Sequence, residues 1–143
     1  MRDKKEKDET VISEKMLILG VNSSPFYKLT GMECTYARNG EARVKLPFKK
    51  ELTHPGQIAH GGAIASVADS ALSLALISLT WPNTKIATVE LKINYLKPFK
   101  EGFIEAVGRI IKRGSKVTVG EVKVNNYEGD IVAIGIATFV VQD

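Results

Sequence analysis

From Ala63 to Leu79 the apolar residues Ile64, Val67, Ala68, Ala71, Leu72, Ala75, Leu76 and Leu79 recur three and four apart. That spacing predicts one long helix opening at Gly61-Gly62. Ser66, Ser70, Ser73 and Ser78 are its neutral polar residues, and Asp69 is its only charge. A helix apolar nearly all round is expected to be buried, where a carboxylate is costly unless it is paired, hydrogen-bonded or used. Before the helix, Met32–Arg38 and Glu41–Phe48 read as a hairpin about Asn39-Gly40, with Pro47 marking an edge or exit position. Lys49–Ala59 is a loop. After the helix, Trp81-Pro82-Asn83 stops helical propagation. Thr88–Leu96 alternates, which assigns Val89, Leu91, Ile93 and Tyr95 to one face and Thr88, Glu90, Lys92 and Asn94 to the other. Phe103–Ile111 is the next strand, turned back at Arg113-Gly114-Ser115 into Lys116–Asn125. There the apolar phase changes between Val119 and Val122, which predicts a bulge at Gly120. Ile131–Val141 is apolar on both faces and so asks for two partners, the central helix and a second subunit.

The first nine residues are almost all charged, with both signs mixed, and read as a solvated tail without chemistry. Ile12, Met16 and Leu19 then suggest a short amphipathic helix stopped at Gly20. Ser24-Pro25 opens a further helical turn that Gly31 ends. The expected organisation is a tail and short helix over 1–20 and a single domain over 21–143. Strands and helices do not alternate, so a parallel α/β sheet is disfavoured; an antiparallel sheet curled round one helix, an α+β arrangement, buries both.

Composition adds bounds. In a chain of 143 residues, 44% hydrophobic and 25% charged residues are ordinary for a globular protein. The net charge of +4 is spread over interleaved acids and bases. That excludes the concentrated basic and aromatic surface of a nucleic-acid binder and leaves a mild attraction for anionic small molecules. Cys34, the single cysteine, permits no intramolecular disulfide and fits a reducing compartment. No apolar stretch behind the charged N-terminus reads as a secretion signal, and Asp69 with four serines argues against a membrane span. A soluble cytoplasmic protein is expected. The two histidines, His54 and His60, have no zinc-motif spacing, so no metal is expected.

The candidate chemistry gathers at His60-Gly61-Gly62. Paired glycines let the backbone approach a ligand, and the amides and positive dipole end of the helix face developing negative charge. About two turns further in lies Asp69. His60-Gly61-Gly62, with Asp69 inside Val67-Ala68-Asp69-Ser70-Ala71, resembles the HGG…(L/V)AD signature of the PaaI-type hotdog-fold acyl-CoA thioesterases. The resemblance runs in order from about residue 22 to 140. It takes in Ser24-Pro25-Phe26, Gly31-Met32-Glu33, the strand Thr88–Pro98, Lys112–Lys116 and the Glu128-Gly129-Asp130 turn.

The resemblance implies a hotdog fold, an antiparallel sheet wrapped round the central helix, and hydrolysis of an acyl- or aryl-CoA thioester with no cofactor beyond the coenzyme A of the substrate. Asp69 is the expected nucleophile or general base and the Gly62 N–H the expected oxyanion donor, with Gly61 beside it. The site is expected to be completed across a homodimer or homotetramer interface. His60 is read as bracing its loop. His54 stands where similar enzymes carry Asn, and Gln57 where they commonly carry glycine; either is a polar positioner or faces solvent. Thr88 aligns with a Ser/Thr that hydrogen-bonds the acid or the water, or is an ordinary strand residue. Lys97, Arg113 and Lys116 are candidates for the coenzyme phosphates, or solvated turn residues. Phe48, Leu72, Leu76 and Tyr95 are expected to wall the acyl pocket. Two other activities fit the same fold: a non-hydrolytic acyl-CoA or acyl-carrier binding protein, which has no need of Asp69, and a hydratase or dehydratase, which needs an Asp/His pair placed for proton transfer.

Overall fold

The structure is a computed structural model describing residues 2–83 and 85–142, with the side chains of residues 2–5 and 12 outside the description. Elements follow in the order α1 (Arg2–Asn22), α2 (Pro25–Thr30), β1 (Glu33–Arg38), β2 (Glu41–Pro47), a 3-10 turn (Lys50–Leu52), α3 (Gly61–Thr80), β3 (Lys85–Tyr95), β4 (Phe103–Arg113), β5 (Val117–Asn126) and β6 (Ile131–Gln142). The six strands form one antiparallel sheet ordered β1-β2-β4-β5-β6-β3. It curls round α3, as the hotdog resemblance implies. The hairpin turns on Asn39 (φ 51) and Gly40 (φ 80), the two left-handed residues that a tight β1–β2 connection demands. β2 is an interior strand, so Pro47 marks its exit and not a sheet edge.

Helix α3 presents Ile64, Val67, Ala68, Ala71, Leu72, Ala75 and Leu76 to the sheet, all buried. Its length and hydropathy would suit a membrane span, but the sheet covers this face and makes it the core helix. It is not buried all round. Ser66, Asp69, Ser70 and Ser73 are half-buried and Gly62 is exposed on the side the sheet leaves open, so the carboxylate escapes full desolvation. Leu72 and Leu76 are fully buried against the sheet. They are core, and do not wall a pocket. Phe48 packs edge-on to Phe99, ring centroids 5.5 Å apart.

The sheet comes close to α3 at Gly108 of β4. A Cβ added there would lie 2.7 Å from the Ala71 carbonyl carbon and 2.8 Å from the Leu72 nitrogen, both backbone atoms of the helix. Gly108→Ala is therefore expected to push the helix off the sheet at a cost of about 3 kcal/mol, lowering Tm by roughly 10 °C. A thermal melt within 2 °C of wild type, about the least shift expected for a single kcal/mol, would contradict this contact.

Three departures from the pattern-based reading have physical causes. The N-terminal helix runs through Arg2–Asn22, taking in the charged stretch and Gly20. Its packed side is Glu14, Leu17, Ile18 and Val21; Met16 and Leu19, expected to be buried, face solvent, and the Ile12 side chain lies outside the described residues. The Glu14 carboxylate fixes this register by accepting from the Arg38 guanidinium and the Ala37 amide. In β5 the residues Thr118, Gly120, Val122 and Val124 all face α3, so no slip occurs at Gly120. The bulge lies opposite it, at Ile111 of β4. A second bulge, at Val89 between Thr88 and Glu90, interrupts β3. It turns Thr88 to the helix side together with Leu91, Ile93 and Tyr95, where strict alternation had put Thr88 on the opposite face.

Candidate active site

The N-terminus of α3 is capped by its own signature. His60 is the N-cap, and its Nδ1 accepts from the Gly62 N–H at 2.8 Å. The Ala63 N–H donates to the His60 carbonyl at 2.9 Å. The Gly62 amide, expected to be free for an oxyanion, is thus occupied by imidazole. Gly61 is the first helical residue, and its N–H has no intrahelical acceptor, which makes it the available donor. Because His60 Nδ1 accepts, the ring proton sits on Nε2.

His54 repeats this arrangement one turn upstream. Its Nδ1 accepts from the Gly56 N–H at 2.8 Å, so His54 also carries its proton on Nε2, as a donor. His54, Ile58, Gly61, Ile64, Tyr95 and Lys97 line one groove at this end of the helix. Asp69 lies outside it. Its Oδ1 accepts from the Thr88 hydroxyl at 2.8 Å, an approach that the Val89 bulge makes possible. By the helix rise, Asp69 is about 12 Å along the axis from Gly61. Tyr27 of α2 reaches the same stretch of α3, its hydroxyl beside Ser70 and Asp69. Burial pushes its phenol up to about 12, against the opposing pull of Ser70, and neighbouring Asp69 adds to the rise, so the hydroxyl stays neutral.

The three basic candidates separate. Lys97 borders the groove but is paired with Asp130 at 2.5 Å, and the ammonium holds that carboxyl below the usual range. Arg113 Nη1 donates to the Leu79 carbonyl at 3.4 Å, at the C-terminal end of α3, and Lys116 stands in the turn beyond it. Within one protomer the Arg113 contact is nearly a helix length, about 27 Å along the axis, from Gly61. Cys34 is buried and burial lifts its thiol to about 11, which fits a packing residue. No cluster of three potential metal ligands occurs among the described residues.

A family model described as the thioesterase superfamily matches residues 56–133. The chain belongs to that superfamily. SSO1253 of Saccharolobus solfataricus, which carries an esterase name, is 34% identical over 80% of this chain and 76% of its own length. The medium/long-chain acyl-CoA thioesterase YigI of Escherichia coli is 28% identical over 82% of this chain and 85% of its own. Among solved structures, the conserved protein PA5202 of Pseudomonas aeruginosa superposes with a TM-score of 0.80 at 31% identity, covering 83% of this chain and 94% of that one. PaaI of E. coli superposes at 0.80 with 20% identity (87% and 89% covered), sharing the fold. A Streptococcus pneumoniae protein described as a hypothetical thioesterase and solved with coenzyme A superposes at 0.72 with 27% identity, covering 78% and 85%.

In this superfamily member, the departure at Gln57 acquires a backbone reason. Gln57 has φ 64, the left-handed region that glycine occupies without cost, and its side chain is exposed. Relief of that strain, roughly 1–2 kcal/mol, outweighs the greater freedom of glycine in the unfolded chain. Gln57→Gly should therefore stabilise the protein by about 0.5–1 kcal/mol, seen as a raised urea midpoint at constant m. An unchanged or lowered midpoint would mean that the side chain contributes something worth its strain. Sequence reasoning missed Tyr27, which nothing in the α2 pattern marks as polar, and the contact of Tyr95 with Gly61.

Proposed function

We propose that this protein is an acyl-CoA thioesterase, hydrolysing an acyl- or aryl-CoA thioester to the free acid and coenzyme A. The observation that carries this reading is Asp69, held through one oxygen by Thr88 and free of any described ion pair, on the same helix whose first amide is an unshared donor. In one route Asp69 Oδ2 takes a proton from water as the water oxygen bonds to the thioester carbon. In the other Asp69 attacks that carbon itself and water cleaves the resulting anhydride. In both, charge collects on the carbonyl oxygen against the Gly61 N–H and the C–S bond breaks; the leaving thiolate takes the proton held by Asp69 in the first route, and one from solvent in the second, which the water that cleaves the anhydride returns. The Nε2–H of His54 takes the orienting role of the usual Asn amide.

One carbonyl cannot touch both groups in a single protomer, because about 12 Å of helix separates the donor from the acid. The site we propose therefore joins Gly61 of one protomer to Asp69 of a second copy. β3 is an eleven-residue strand at an open sheet edge, a template for pairing with another chain, and it carries both Thr88 and Tyr95. The outward Ile134 and Ile136 of β6, 41% and 43% exposed, offer a further face for a tetramer. Lys97 is the basic residue best placed for coenzyme phosphates.

The test is thiol release from a panel of acyl- and aryl-CoA esters, with ultracentrifugation in parallel. Release by a dimer or larger assembly supports the reading, and the ranking names the acyl class. Binding of the esters without release would replace it with a non-hydrolytic acyl-CoA carrier. Full activity in a strict monomer would remove the shared site.

A further inference from the structure

The Gly61–Gly62 peptide is held at both ends. Its N–H goes to His60 Nδ1, and its carbonyl, Gly61 O, accepts from the Tyr95 hydroxyl at 3.0 Å. The Tyr95 ring lies against Gly61: a Cβ at Gly61 would meet Cζ at 3.3 Å and the hydroxyl oxygen at 3.4 Å. Tyr95 is the last residue of β3, is 50% exposed, and borders the groove that also holds His54 and Lys97. Its hydroxyl therefore does not serve to satisfy a buried polar group. It reaches across from the edge strand to the peptide that adjoins, through the Gly61 dihedrals, the one carrying the Gly61 N–H.

We propose that Tyr95 is a positioning residue for the oxyanion donor. Its hydroxyl pins the Gly61–Gly62 peptide plane to the end of β3 and keeps the adjoining Gly61 N–H aimed at the substrate carbonyl. The idea rests on the thioesterase reading above. Glycine makes such a tether necessary, since Gly61 and Gly62 have no side chains to restrict their own dihedrals. Donor placement within a few tenths of an ångström decides how much of the developing charge is stabilised. The tether acts on the transition state more than on coenzyme binding, so kcat should carry its loss and KM should not.

Tyr95→Phe keeps the ring and removes only the hydroxyl. We expect kcat to fall about tenfold with KM within twofold, the scale of one neutral hydrogen bond. A second readout is independent of hydrolysis: amide hydrogen exchange at Gly62 should quicken about tenfold in the variant, while the mid-helix amides of Val67 to Leu76 keep their wild-type rates. Tyr95→Leu removes ring and hydroxyl together and separates packing from tethering. If Tyr95→Phe matches wild type in both readouts, or if Tyr95→Leu alone loses activity, the hydroxyl does not position the turn and the proposal falls. If the wild type releases no thiol from any ester, the thioesterase reading fails and the catalytic half of this proposal fails with it. The exchange rates then still decide whether the hydroxyl holds the peptide.

Discussion

Replacing Asp69 by Asn should lower kcat for thioester hydrolysis by about 100-fold or more, the usual worth of a positioned base or nucleophile, with KM little altered. The substitution keeps volume and leaves an oxygen to accept from Thr88, so the 2.8 Å contact across to β3 survives and the fold with it. What disappears is the second carboxylate oxygen, and with it the capacity to take a proton or attack carbon. Melting within a few degrees of wild type, together with the loss of turnover, would assign the defect to chemistry. Turnover equal to wild type would take Asp69 out of the mechanism while leaving the hydrolytic activity itself standing.

The second large effect is expected from Gly61→Pro. Proline at the first helical position removes one N–H and nothing that the helix uses. His60 already has φ −60 and ψ 138, the conformation that a residue before proline prefers. The ring must fit against Tyr95, where the contact is 3.3 Å. If Gly61 supplies the oxyanion donor, kcat should drop between about 100- and 1,000-fold. If Gly62 were the donor after releasing His60, the loss would be slight. The pair of variants also tests the shared site. Mixing Asp69→Asn chains with Gly61→Pro chains and allowing exchange should restore activity, because half of the sites in a hybrid dimer carry native residues on both sides. No recovery, with exchange verified by mass, would return both groups to one protomer, against their spacing along α3.

How much of this could be read beforehand depended on whether a feature leaves a periodic trace. The central helix, the Asn39-Gly40 hairpin and the last three strands do, through apolar spacing and turn residues, and they stand where the pattern put them. Bulges do not. The phase change in β5 invited one at Gly120, yet the extra residue is Ile111 on the neighbouring strand. Nothing in the alternation Val89–Tyr95 marked Val89 as the residue that turns Thr88 toward Asp69. The HGG letters gave the turn but not which amide the histidine occupies, and that distinction moves the available donor from Gly62 to Gly61. Leu72 and Leu76 looked like pocket walls because helical spacing cannot say which side of a helix the sheet will cover. Charge without periodicity hid the first two turns of α1.

The tight seat of Ala71 on Gly108 has a mechanical side. A rod pressed against a surface near its middle can only rock about that point, and Asp69 is two residues from the fulcrum. Any tilt of α3 that accompanies substrate entry leaves the acid almost still. The Gly61 end, about 15 Å away along the axis, sweeps through the largest arc. That is the end which Tyr95 ties to the sheet, as Arg113 ties the Leu79 end, so α3 is fastened at both extremes of its travel.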